Sequence, residues 1–411
     1  MLLIFVPIFL LALAAFFGPP AVSKPAVAAI KTIAVVMDRS TPPQVAAPPV
    51  RCWHDSIGAV PSAYTLDEPM TPDGYPTTSL DRVSIRGWLT GGFYGPLDTM
   101  LIAYADSARA DFRLENRMQD VFEAFNDAEP TLDFYLEEWQ RQDRRSGNVH
   151  ILRGYHYLAQ AWKVRGTRWA KETADSNRLT MTRFVKRARV QADSALLLAP
   201  CSLPAYMLPI RLAQLGGQTR LSEDALEQAL RLQPYAFEVR ALHMANLQPR
   251  WGGSFKEMHD FAESIDPLVR VNPRLRLLHG FEYAERASVL EDRSASVQSV
   301  LAAYDSAFAY GDHWRFRADR GNYFYRHNRN AEAGEDFDVA LGQRPQDLRS
   351  ILGRASVWYE VGRTGDVADK PSRYAEVRRL SDLALQIAPA DPTAISDNEF
   401  YRKSTARYVG R

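Results

Sequence analysis

Residues 314–345 carry the pattern that decides the fold, and they read WRFRADRGNYFYRHNRNAEAGEDFDVALGQRP. Small and aromatic side chains recur along this stretch before a proline ends it: Gly321, Phe324, Ala333, Phe337, Ala340 and Pro345. Small residues allow two antiparallel helices to approach closely, and the aromatic rings fill the space toward the neighbouring pair. The stretch therefore predicts two helices that pack as a hairpin.

A helix end followed by a proline stop recurs through the second half of the chain. These stops are Pro200, Pro234, Pro267, Pro345 and Pro389. The first three follow one another at intervals of 34 and 33 residues, which is the period of tetratricopeptide repeats. The last interval is longer, and we expect its surplus to form an inserted polar loop at Gly362–Ser372.

The segment that precedes these repeats is helical in pattern as well. Between residues 97 and 188, five groups of four apolar residues fall at i, i+3, i+4 and i+7, and Leu97, Met100, Leu101 and Tyr104 form the first group. This spacing is typical of one buried helix face, and no comparable alternating run indicates a strand. The sequence predicts an all-α protein, an α-solenoid of tetratricopeptide-like helix hairpins.

The N-terminus has the features of an export signal. Leu2–Phe17 form an almost unbroken apolar run, and Ala26–Ala28 provide a small-x-small cleavage pattern. The alternative is an uncleaved membrane tether through residues 1–20. Both interpretations place most of the chain outside the cytoplasm, in the periplasm or secreted. The predicted organisation is a signal peptide or anchor at 1–28, a Pro-rich linker at 29–79, a helical domain at 80–199 and tetratricopeptide-like repeats at 200–411.

The composition excludes several classes of function. The chain has 50 Lys and Arg against 49 Asp and Glu, so net charge gives no support for nucleic-acid binding. Cys52 and Cys201 are its two cysteines, which is too few for a cysteine-based zinc site, although they could pair in an oxidising compartment. Metal-protease, nucleophile-elbow and phosphate-loop motifs are absent, so we expect no metal, no cofactor and no catalytic residue.

Leu247–Glu257 reads LQPRWGGSFKE and predicts a tight turn between two helices. Its members are Gln248, Pro249, Arg250, Trp251, Gly252, Gly253, Ser254 and Glu257. The proline stops the first helix, the two glycines permit the turn, and Ser254 with Glu257 forms a capping box for the second helix. A helix N-terminus next to Arg250 could also bind an anion, but capped turns are far commoner than such sites.

The turn also carries a family resemblance. Gln248–Ser254 reads QPRWGGS and resembles the signature of a bacterial domain-of-unknown-function family with helical repeats. Tyr157–Gly166 is similar to the helix that precedes the repeats in that family. The resemblance covers about Arg86–Phe261, and it implies an extracytoplasmic or envelope-associated protein without an assigned reaction.

The first helix of each hairpin is expected to line the concave face of the solenoid. In the 314–345 unit this places Arg315, Asn322, Tyr325 and Arg326 in a groove, where arginine and asparagine suit a peptide carboxylate. We therefore predict a scaffold that binds a peptide or protein partner. The same segment is basic and aromatic, which also suits nucleic acid, but solvated arginines are the simpler interpretation.

A second hypothesis is an envelope glycan-binding protein or hydrolase. Four tryptophans, with acidic residues nearby, could stack on sugars: Trp139, Trp162, Trp169 and Trp251. This hypothesis requires the four rings to meet in one open cleft rather than in separate hairpin cores.

Overall fold

The computed structural model describes residues 80–166 and 174–409. The chain divides into two units, Met1–Arg51 and Cys52–Arg411, and all described residues belong to the second. The predicted signal or anchor, the linker, Cys52 and Trp169 lie outside the described residues. Within those residues the regular structure consists of α-helices joined by turns and short 3₁₀-helices, which confirms the all-α prediction.

Six helices form the first half of the described chain: α1 Arg82–Thr90, α2 Tyr94–Ala110, α3 Glu115–Glu123, α4 Pro130–Gln142, α5 Gly147–Arg165 and α6 Asp175–Leu198. Local side chains fix where several of them begin. Asp81 Oδ1 accepts the backbone N–H of Ser84 at 2.7 Å, and Ser146 Oγ accepts that of Val149 at 3.3 Å. Each bond satisfies one of the N–H groups that a helix N-terminus leaves unpaired.

Twelve helices make up the repeat half of the described chain. They are α7 Leu203–Gly216, α8 Thr219–Leu232, α9 Glu238–Asn246, α10 Phe255–Glu263, α11 Asp266–Val269, α12 Leu277–Asp292, α13 Val297–Phe308, α14 Trp314–Arg326, α15 Asn330–Gln343, α16 Leu348–Thr364, α17 Lys370–Ile387 and α18 Pro392–Val409. Consecutive helices pack as antiparallel pairs, most extensively α7 on α8, α12 on α13, α14 on α15 and α16 on α17. This arrangement is the predicted α-solenoid of helix hairpins.

The hairpin α14–α15 shows why small and aromatic residues alternate. Phe337 is fully buried between two glycines on neighbouring first helices. A Cβ at Gly321 would lie 3.0 Å from the Phe337 ring, and one at Gly353 would lie 2.3 Å from it. The glycines thus make room for the ring, which joins the hairpin to the next one. The predicted hairpin is confirmed.

The prediction of an inserted loop at Gly362–Ser372 is wrong. The helix α16 continues to Thr364, a 3₁₀-helix occupies Val367–Asp369, and α17 begins at Lys370. The helices α16 and α17 have 17 and 18 residues, whereas α14 and α15 have 13 and 14. Most of the surplus therefore extends two helices.

The hydrophobic core runs through the first half without a break. One cluster of buried side chains extends from Ile85 to Val239, and smaller clusters follow along the repeats. The predicted boundary at residues 199 and 200 falls in the turn between α6 and α7, inside that first cluster.

The first described helix, α1, packs against the C-terminal end of α17, which one further helix, α18, follows. The Arg86 guanidinium on α1 donates to the carbonyls of Gln386 (2.5 Å) and Ile387 (2.9 Å), which are the last two of α17. The backbone N–H of Arg82 donates to Gln346 Oε1 at 2.9 Å. A cation suits a helix C-terminus, where the final carbonyls lack intrahelical partners. The helical array is therefore closed on itself, with an interior face.

Candidate functional site

The turn after α9 is shaped by its glycines. Pro249–Trp251 form a 3₁₀-helix, and Gly252 then adopts φ 97°, in the left-handed region. A Cβ at Gly253 would lie 2.2 Å from the carbonyl oxygen of Leu247, so a larger residue does not fit. Ser254 Oγ accepts the backbone N–H of Glu257 at 3.2 Å and donates to its carboxylate at 2.8 Å. The carboxylate therefore bonds the hydroxyl rather than the backbone N–H that a capping box would use.

Arg250 connects this turn to α12. Its Nε donates to Glu285 Oε1 at 2.7 Å, and its other nitrogen donates to Ser288 Oγ at 2.8 Å. Glu285 is buried, and burial raises the pKa of its carboxyl group. Because Arg250 is committed to Glu285, it is not free for an anion at the neighbouring helix N-terminus. The geometry favours the structural interpretation of this turn.

The structure brings together the two segments that carry the family resemblance. The rings of Trp162 on α5 and Trp251 in the turn meet edge to face, with centroids 5.5 Å apart. The Arg165 guanidinium lies 4.9 Å from the Trp251 ring centroid. Trp139 is instead buried in the core, stacked on Tyr94. Of the three tryptophans of the glycan hypothesis that lie within the described residues, two converge and the third does not.

A groove follows the inner face of the repeats and encloses about 340 Å³. Its walls come mainly from α12, α14 and the start of α16. Three of its arginines form ion pairs on the walls: Arg250 with Glu285, Arg326 with Glu291 and Arg349 with Asp319. Arg315 also lines the groove, yet its guanidinium donates no hydrogen bond and forms no ion pair within the described residues. It lies 5.3 Å from the ring centroid of Trp314 and 5.4 Å from that of Phe281.

The four predicted groove residues have different surroundings. Arg315 and Arg326 line the groove, and Arg326 is paired there with Glu291 at 2.6 Å. Asn322 and Tyr325 are not part of its lining. The amide of Asn322 donates to the Ala318 carbonyl on its own helix, and Tyr325 packs among the apolar residues between hairpins. Of the four predicted residues, Arg315 and Arg326 therefore line the groove, and Asn322 and Tyr325 do not.

The remaining arginines of this helix are neutralised by carboxylates. Arg317 pairs with Asp312 at 2.7 Å and with Asp336 at 2.9 Å, and Arg320 pairs with Asp336 at 2.7 Å. Arg329, in the turn after this helix, pairs with Glu332. These ion pairs replace the solvated arginines expected from the sequence, and they leave little unbalanced charge for a nucleic-acid phosphate.

A larger chamber of about 750 Å³ lies where the two ends of the array meet. Trp314, Arg315 and Asp347 line both this chamber and the groove. Its other walls come from α1, α3, α5, α7, the turn that precedes α16 and the turn that follows α17. The lining is mixed, with Trp162 and Leu242 among the apolar members and the basic side chains Arg82, Lys163, Arg211, Arg315 and Arg344.

The carboxylates of this chamber are all engaged by protein groups. Glu123 pairs with Arg211, and Asp127 pairs with Arg86. Asp347 accepts the backbone N–H of Ser350, and Asp391 accepts those of Thr393 and Ala394. Among the bases, Arg211 is paired with Glu123 and Arg344 with Asp120 at 3.5 Å. The chamber therefore has more positive groups available than negative ones.

Two guanidinium groups of the chamber have no carboxylate partner in the described residues, those of Arg82 and Arg315. Like Arg315, the Arg82 side chain donates no hydrogen bond there. Burial lowers the pKa of both groups and outweighs the attraction of the nearest carboxylates, Glu123 for Arg82 and Asp319 for Arg315. Both residues are half-buried and line the chamber, so an anion bound there would supply the charge partner that neither has in the described residues. Helix periodicity relates only residues that are close in sequence. It could not show that Arg82 lines the same chamber as Arg315, which is 233 positions away.

Over residues 80–166 and 174–409, the structure offers no cluster of three or more potential metal ligands. The same residues include no helix that is both long and apolar enough to cross a bilayer.

The chain has distant neighbours among solved structures. No protein-family model matches the sequence, and no curated protein matches it. Yeast Tom70 is similar over 72% of this chain and 57% of its own, with 12% identity and a TM-score of 0.35. The TPR domain of P58(IPK) is similar over 80% of this chain and 98% of its own, with 12% identity and a TM-score of 0.30. The chain spans just over half the length of the Tom70 chain, and neither neighbour indicates what it binds.

Proposed function

We propose that this protein is an extracytoplasmic helical-repeat scaffold that binds an acidic peptide segment of a protein partner on its interior face. The observation that carries the proposal is Arg315. It lines a groove in which Arg250, Arg326 and Arg349 are already paired with carboxylates, and it alone among these four lacks a carboxylate partner in the described residues. A peptide carboxylate would supply the missing charge and accept two parallel N–H bonds.

The shape of the site supports a peptide rather than a compact ligand. The groove and the chamber share Trp314, Arg315 and Asp347 as lining residues, so the two spaces lie next to each other along the interior face. Its walls contain both aromatic rings and charged side chains. Such walls suit an extended peptide that carries both apolar and charged side chains. Repeat arrays present extended concave surfaces of this kind for binding.

Two features support a location outside the cytoplasm. Cys201 is disulfide-bonded. Disulfides persist in oxidising compartments and are rare in the cytosol. The apolar run Leu2–Phe17 adds the features of an export signal or tether. The resemblance of Gln248–Ser254 to the signature of an uncharacterised envelope-associated family agrees with this location.

A comparative pull-down tests the proposal. Tagged full-length protein is incubated with envelope extract of the source cell in three forms: wild type, Arg315→Gln and the control Arg363→Gln. Arg363 is exposed and pairs with Glu360 on its own helix. We expect one protein to be captured by wild type and control and to be lost with Arg315→Gln. Capture of the same partner by all three forms would show that the interior face does not bind it.

A further inference from the structure

The chamber contains a feature that the groove lacks, namely a second unpaired guanidinium from the opposite end of the chain. Arg82 belongs to the first turn of α1, and Arg315 belongs to the first turn of α14. Both line the 750 Å³ chamber. Their side chains share a chamber only because α1 packs against the end of α17 and closes the array.

We propose that Arg82 and Arg315 together form an anion site that takes an acidic side chain of the bound segment, while a large apolar side chain of that segment packs on Trp162. The inference rests on the proposed function, and it names the chemistry that the partner must carry.

No carboxylate of the chamber forms an ion pair with either of these two groups in the described residues. Its acids Glu123, Asp127, Asp347 and Asp391 already hold arginines or helix N-termini. The nearby Arg344 pairs with Asp120, and its guanidinium lies 4.7 Å from the Trp314 ring centroid. An incoming carboxylate would therefore meet two guanidinium groups that form no ion pair in the described residues, although Glu123 attracts Arg82 and Asp319 attracts Arg315.

The apolar part of the lining sets the second requirement. Trp162 is half-buried, and Leu242, Leu348 and Ile387 line the same chamber. A peptide with an acidic residue next to a leucine or an aromatic residue would fit this lining. Its carboxylate would bind the guanidinium groups, and its apolar side chain would pack on the apolar surface. A free inorganic anion would use only the guanidinium groups and would leave this apolar surface in contact with water.

The site has a consequence for the closure of the array. A carboxylate held by both arginines would connect α1 to α14, in addition to the bonds between α1 and α17. By linkage, a ligand that binds only the closed form stabilises that form. Occupancy should therefore slow the opening of α1.

The test uses a fluorescein-labelled ten-residue peptide in which two adjacent glutamates are flanked by leucines, and a matched peptide with glutamines. Fluorescence anisotropy measures binding to full-length wild type, Arg82→Gln, Arg315→Gln and the control Arg363→Gln. We expect the glutamate peptide to bind wild type and control, and each of the other two variants to bind it about 10- to 100-fold more weakly, as expected for the loss of a charge-assisted hydrogen bond. Hydrogen exchange in Arg82–Thr90 should slow on binding in wild type and stay unchanged in Arg82→Gln.

The possible failures are distinguishable. Binding that depends on Arg315 but not on Arg82 would overturn the two-arginine site and leave the proposed function standing. Equal binding of the glutamine peptide would overturn the carboxylate requirement. Inorganic phosphate that displaces the peptide at equal affinity would show a general oxyanion site instead. If wild type binds neither peptide although the pull-down captures a partner, the inference fails alone, and failure of both experiments would remove the proposed function.

Discussion

At the scale of single residues, Gly253 is the glycine at which the backbone leaves no room for a side chain. A Cβ there would lie 2.2 Å from the Leu247 carbonyl oxygen and 2.5 Å from the carbonyl carbon, and backbone atoms cannot move aside as a side chain can. We predict that Gly253→Ala lowers the free energy of unfolding by about 1–3 kcal/mol. Urea denaturation measures the change.

Gly342 provides the matched control for this prediction. It lies on α15, and a Cβ added there would meet no neighbouring side chain or helix within 4 Å. The change Gly342→Ala should stabilise by about 0.5–1 kcal/mol, because alanine restricts the unfolded chain and favours helix. Equal effects of the two substitutions would contradict the steric account of the turn.

His243 gives the chain a specific sensitivity to acid. It is buried on α9, its Nδ1 lies 2.8 Å from Ser222 Oγ, and that oxygen accepts the amide of Asn246 at 2.9 Å. The serine hydroxyl is thus free to donate to Nδ1, which must be unprotonated to accept. Burial lowers the pKa of His243 to about 4. Because the folded-state pKa lies below the unfolded value of 6.5, the stabilisation is present above pH 6.5 and is lost as the pH falls toward 4.

We therefore predict that wild type loses about 3 kcal/mol more stability than His243→Gln between pH 7 and pH 4. Urea denaturation at several pH values measures both slopes, and the other buried histidines are common to both proteins. Parallel slopes would show that His243 does not titrate in this range.

At the scale of helices, the sequence predicts the local structure well and the contacts between distant helices poorly. The hairpin at Trp314–Pro345 was predictable because Gly321 and Phe337 are close in sequence and obey helix spacing. The extra length of α16 and α17 was not, since Gly362–Ser372 is polar and polar residues occupy exposed helix faces as readily as loops. Helix spacing likewise could not show that Tyr325 packs between hairpins while Arg315 faces the groove.

The contact of α1 with α17 depends on Arg86. Its guanidinium is buried, lies 3.3 Å from Asp127 and caps the last carbonyls of α17. Removing it would leave Asp127 buried without its cation and two carbonyls without a donor. We predict that Arg86→Ala lowers the free energy of unfolding by about 3 kcal/mol. Hydrogen exchange should accelerate in α1 and in the last turn of α17, and uniform exchange across the molecule would contradict a local closure.

At the scale of the whole molecule, the candidate site is a product of closure. Arg315 was predictable as an interior residue from its place on a first helix. Arg82 could not be predicted as an interior residue, because its neighbours come from the other end of the chain. Neither the composition nor the repeat period indicates that these distant segments pack together. The long-range bonds of Arg82 and Arg86 to residues near 346 and 387 decide which charges share the chamber.

The most direct test of the central claim, that the interior face binds the partner, is photo-cross-linking in the source cell. A photoreactive amino acid replaces Gln248, which lines the groove, or Val297, which is exposed at the start of α13 and is not part of the groove lining. The account predicts a protein adduct from position 248 that disappears when Arg315→Gln is added, and no adduct from position 297. An adduct from position 297 alone would place the partner on the outer helices and contradict the account.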